Sequence, residues 1–159
     1  MKNHKWIVGA CLMVFALTFG VTGAASAQVR SEIELTRQQI QTERQALVAA
    51  AMELTDEQAA AFWPVYRDYR NELAPVGDRQ VELILGYAER FGAVTDEYAN
   101  QMLEDHLNIQ SKKLEIQKMY VSRFLGVLQP MLVARFYQIE NKLDAIVAFD
   151  LALSVPVLQ

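Results

Sequence analysis

Apolar residues recur along this chain in steps of three and four, and no run alternates apolar with polar as a half-buried strand does. The spacing predicts an all-α protein: an elongated bundle of about four helices, two of them long and antiparallel, in a single helical domain over 28–159. The first helix is expected over 31–51, opened by Ser31 with Glu34 in a capping box and carrying a thin stripe of Ile33, Ile40 and Leu47. The second, over 55–91, starts at "LTDEQ": Thr55 suits the N-cap, Gln58 the reciprocal position, and Leu54 a staple against the first turn. Phe62, Tyr66, Tyr69, Leu73, Val76, Leu83, Tyr87 and Phe91 then form a long seam, with kinks expected at Pro64 and around Pro75 and Gly77. "VTDEY" repeats the start signal before a third helix over 95–127, and Pro130 opens a fourth over 130–151 with a stripe of Leu132, Phe136, Ile139, Leu143, Ile146 and Val147. Pro156 forbids simple helical continuation, so 152–159 is expected to be a flexible tail.

The third helix carries more apolar surface than one neighbour covers. Met102, Ile109, Ile116 and Tyr120 line one side, and Leu103, Leu107, Leu114, Val121 and Leu125 another about 120° round. Helices of roughly thirty residues are about 45 Å long, whereas a compact domain of this size has a radius of gyration near ~14 Å. An antiparallel homodimer resolves the mismatch. Met102, Ile109, Ile116, Tyr120, Leu107, Leu114 and Val121 are therefore the candidate surface for a second copy or for a client protein.

The amino-terminal stretch changes the expected setting. Lys2 and Lys5 precede the apolar run "WIVGACLMVFALTFG", and small residues at Ala25 and Ala27 offer a cleavage site, so 1–27 reads as a cleaved signal peptide. The run is shorter than the roughly 20 residues a membrane span needs, so no span is expected after processing. Cys11, the one cysteine of the chain, lies within that signal, which leaves the expected mature protein without disulfide, thiolate nucleophile or cysteine metal site. Removing Lys2 and Lys5 leaves 13 basic side chains against 19 acidic ones, which argues against nucleic acid as a partner.

The residues offer little chemistry. His106 would be the one histidine left after processing; it is a weak metal candidate, since a site needs three or four converging ligands. Asp96 with Glu97 and Glu104 with Asp105 are adjacent in sequence and diverge by about 100° on a helix, so neither makes an acid–base pair. No glycine-rich phosphate loop or nucleophile elbow occurs. The expectation is no enzyme, no metal and no cofactor. The aromatics of "FWPVYRDY" suit a core seam, and Met52, Met102, Met119 and Met131 suit gap-filling.

"LTDEQ" after an export signal, in a small helical chain whose mature part lacks cysteine, resembles the LTXXQ-motif periplasmic stress proteins of Gram-negative bacteria, the Spy/CpxP type. "LTRQQ" at Leu35–Gln39 matches the motif literally, and "LQPML" at Leu128–Leu132 is a loose counterpart of a later copy. "VARFYQIENKLDAIVAFDLA" is similar to a carboxy-terminal signature of uncharacterised proteobacterial secreted proteins placed near that family. The resemblance covers roughly residues 50–155. It implies a thin, cradle-shaped antiparallel dimer in the periplasm that acts as an ATP-independent, holdase-like chaperone on unfolded or partly folded proteins. Alternatively, it implies a regulator binding a periplasmic sensor domain, or a metal-responsive sensor. The chain departs from the basic cradle of the chaperone type through its acidic balance, which points to binding through apolar patches instead of charge.

Overall fold

A computed structural model describes residues 42–157, with backbone alone for 150–154. The expected signal peptide, Cys11, the Ser31 cap, Ile33, Ile40 and "LTRQQ" lie outside the described residues. Four helices and no strand occur among them: α1 (42–52), α2 (Asp56–Glu89), α3 (Asp96–Leu125) and α4 (Pro130–Ser154). No helix among the described residues is long and apolar enough to cross a membrane.

The starts of α2 and α3 are set locally. Thr55 Oγ1 accepts from the Gln58 amide at 3.3 Å while Gln58 Oε1 accepts from the Thr55 amide at 3.0 Å, so two amides that the helix itself leaves unpaired are satisfied. Thr95 Oγ1 accepts from the Tyr98 amide at 3.3 Å. Asp56 and Glu57, like Asp96 and Glu97, sit at the positive end of their helix dipoles. α2 continues unbroken through Pro64 and Pro75, each of which removes one backbone donor from the helix. Gly92, at φ 82°, takes the left-handed conformation that turns the chain from α2 into α3.

α2 and α3 form an antiparallel hairpin and pack closely, with Arg79 on Asp105 at 3.0 Å near its tip and Arg123 on Asp68 at 3.9 Å near its base. Gly86 permits the close approach there: a Cβ at that position would lie 2.7 Å from the Tyr98 hydroxyl. α4 returns along α3, held by the Tyr137 hydroxyl donating to the Gln117 carbonyl at 2.7 Å and by Lys113 on Asp144 at 2.8 Å. It ends at Ser154, three residues beyond the expected end at 151, because nothing before Pro156 interrupts it. The Tyr87 hydroxyl donates to the Pro156 carbonyl at 2.9 Å, so the segment expected to be a free tail is tied to α2 at that point.

The core is aromatic. The rings of Phe124 and Phe136 lie 4.5 Å apart, and Phe62 and Tyr69 each touch both at 5.3–5.9 Å between centres. Val48 and Met52 of α1, with Leu73, Ile116, Tyr120, Leu128 and Val133, complete the buried cluster. The first helix is rotated from the expected stripe: Leu47 is 52% exposed, and the buried line is Arg44, Val48 and Met52.

Phe136→Ala is expected to cost about 3–5 kcal/mol of stability, the lost ring plus the cavity left behind, whereas Met131→Ala, at a position 81% exposed, should change it by less than ~0.5 kcal/mol. Thr55→Ala should cost about 1 kcal/mol through the lost cap. Urea unfolding of the three variants beside the parent chain checks the order.

Candidate protein-docking surface

The structure divides the apolar arc of α3. Ile109, Ile116 and Tyr120 are buried, Met102 is half-buried, and this side belongs to the core. The other side stays in water: Leu103, Leu107, Leu114, Val121 and Leu125 are 37–58% exposed. At about 100° per residue these five fall within about 40° of one another, a single line about 33 Å long at 1.5 Å rise. α4 lies between the two sides, on Lys113 and Gln117.

Reversal leaves that line unchanged. Leu103 and Leu125 lie eleven residues either side of Leu114, and Leu107 and Val121 lie seven. Apolar positions read the same from either end.

The charged side chains gather elsewhere. Arg44 spreads its guanidinium over two carboxylates one helical turn apart: Nη1 donates to Glu140 Oε2 at 2.8 Å and Nη2 to Asp144 Oδ1 at 2.7 Å. Arg70 donates to the same Glu140 oxygen at 3.4 Å, and Lys113 pairs with Asp144 Oδ2 at 2.8 Å. Glu140 is 2% exposed, and among the described residues its Oε1 has no hydrogen-bond partner. Burial raises the Glu140 pKa, outweighing the pull of Arg44 and Arg70. Burial acts on Asp144 in the same direction, but Lys113 and Arg44 outweigh it and its pKa is lowered. Burial and the nearby Glu140 charge push Tyr66 up to about 12.

Apolar periodicity does not mark this cluster. Its one local signal is that Arg44 stands on the same helical line as Val48 and Met52. His106 is exposed, and no group of three or more His, Cys, Asp or Glu side chains able to hold a metal comes together among the described residues. The capping residues Thr55 and Gln58 bond each other as above, and Leu54 is half-buried against the core, so this motif organises the start of α2.

Opposite pKa shifts have opposite consequences for stability. The folded state holds the Glu140 proton above pH 4.5, where the unfolded chain has released it. Its contribution is present below that value and lost as pH rises through the raised pKa. The Asp144 contribution is present above pH 3.8 and lost as pH falls through its lowered pKa. In urea unfolding across the acid to neutral range, Glu140→Gln should remove part of the decline on the high-pH side, and Asp144→Asn part of the loss on the acid side. Each also lowers stability at all pH values by thinning the cluster.

Compared with known family models, with curated proteins and with solved structures, the chain finds no match in any of the three.

Proposed function

We propose that this chain is a periplasmic envelope-stress accessory protein that holds exposed apolar segments of other proteins without using ATP. The observation that carries this reading is the line of five exposed aliphatic side chains along α3. An apolar surface of that length and straightness is a common mark of a protein-binding site. It receives a client's apolar side chains as one helix face receives another, and it needs neither a cofactor nor a reaction. The proposed compartment rests on the signal-like amino terminus, and the proposed class on the resemblance carried by "LTDEQ".

The mirror pattern about Leu114 supports a second copy as the resting occupant. A two-fold pairing demands a surface complementary to itself. Antiparallel pairing about Leu114 sets Leu103 against Leu125 and Leu107 against Val121. It places Ser111 against Lys118 of the second copy and Gln110 against Gln117 of the second copy, so no like charges meet there. Client and second copy then compete for one surface, and dimerisation keeps the stripe covered until a client is present.

The full chain at several-fold molar excess should slow aggregation of a chemically unfolded client without nucleotide. Leu107→Glu with Leu114→Glu should abolish the effect while circular dichroism stays helical; undiminished protection by that variant removes the stripe from the function. In a Cys11→Ser background, Leu114→Cys should oxidise to a covalent dimer. Leu103→Cys should cross-link poorly to itself and readily to Leu125→Cys. Efficient self-cross-linking of Leu103→Cys would mean parallel pairing.

A further inference from the structure

α1 holds on to the protein by a single line of side chains. Arg44, Val48 and Met52 are buried one helical turn apart, while Gln45, Leu47, Ala49 and Ala50 face water. On one flank it meets α4, through the two-carboxylate grip of Glu140 and Asp144 on Arg44. On the other it meets α2, whose Arg70 shares Glu140 and whose Phe62 and Tyr66 join Val48 and Met52 in the buried cluster. The link from α1 to α2 is residues 53–55 alone. Glu53 there takes φ 51°, a left-handed conformation that strains a non-glycine residue. Its carboxylate makes an exposed pair with Arg135 at 3.3 Å.

We propose that the gap between α2 and α4 is a receptor groove for an amphipathic helix of a partner protein, filled here by the chain's own α1. The chemistry of the groove specifies the occupant. Two carboxylates one turn apart call for a planar guanidinium, which spans both oxygens where a lysine ammonium reaches only a point. The aromatic floor takes an aliphatic residue four positions after that arginine and a methionine or similar chain eight after it, the helix-in-groove pattern of anchors at successive turns. Glu140 Oε1, buried and unpaired among the described residues, leaves one acceptor that a partner with an added donor satisfies and α1 does not. Tethering gives α1 a high local concentration, so a competitor with only the same three anchors binds weakly until the grip of α1 is loosened. The groove is separate from the leucine line of α3 and does not depend on what that line binds.

The test uses the full chain in a Leu114→Glu background, which removes any contribution of the α3 stripe. A fluorescein-labelled peptide of residues 42–53 is the probe, and anisotropy is the readout. A receiver weakened in its own latch by Val48→Ala and Met52→Ala should bind the peptide at least about tenfold more tightly than the Leu114→Glu parent. Arg44→Lys in the peptide, or Asp144→Asn in the receiver, should cost about tenfold or more. In the parent receiver, excess peptide should speed amide hydrogen exchange within α1. Three outcomes overturn the proposal. One is a weakened receiver that keeps its helical circular dichroism and does not bind, with no change in α1 exchange in the parent. Another is equal binding by the Arg44→Lys peptide. The third is a concentration-dependent dimer of the weakened receiver in place of peptide binding, which would assign the groove to α1 of a second copy.

Discussion

Phe124 and Phe136 meet with their ring centres 4.5 Å apart, and each described helix is fastened to that pair or to a side chain in the same buried cluster. α2 brings Phe62 and Tyr69 to both rings, α3 and α4 bring the rings themselves, and α1 adds Val48 and Met52. Aromatic side chains of this kind bury about 150–250 Å² each, so a few of them supply most of the adhesion a small bundle has. That adhesion is concentrated near the α3–α4 turn. Toward the tip of the α2–α3 hairpin, the buried apolar side chains thin out to Ile109 and Tyr87, and the exposed pair of Arg79 and Asp105 takes part in the contact. Exposed pairs contribute little, so the tip opens more readily than the base.

The same concentration explains why α3 has apolar surface left over. Its inner side is used by α2, and its flank by Lys113 and Gln117 under α4. A third neighbour for the leucine side would have to come from outside the described bundle. The charged cluster under α1 works in the opposite sense. Apolar contact alone would let a short helix settle in several rotations, whereas the Arg44 fork on Glu140 and Asp144 accepts one. Burying these charges offsets much of their mutual attraction, so the cluster acts more on which arrangement forms than on how stable it is.

Features determined by neighbouring residues were readable from the chain alone. Thr55 and Gln58, or Thr95 and Asp96, carry their helix-start information within a few positions, and Phe62, Tyr66, Tyr69 and Leu73 show their seam by period. Features determined by distant residues were not. Both sides of α3 are equally apolar in sequence, and what turns Ile116 inward instead of Leu114 is the position of α2 and α4 around it. Leu47 outranks Arg44 on any scale of hydrophobicity, yet Arg44 is the buried residue, because its partners stand 96 and 100 positions away. Glu140 was hidden for the same reason. Pro156 correctly signals the end of regular helix but says nothing of Tyr87, which receives it.

The hydrogen bond from Tyr87 to the Pro156 carbonyl spans 69 residues. During synthesis, the α2–α3 hairpin is complete in sequence long before that acceptor leaves the ribosome. Domains gain structure as they emerge, at about 5–20 residues per second, so the hairpin tip must wait several seconds with its Tyr87 hydroxyl facing water. A stretch made after all four helices thus closes the end of the bundle farthest from the aromatic junction.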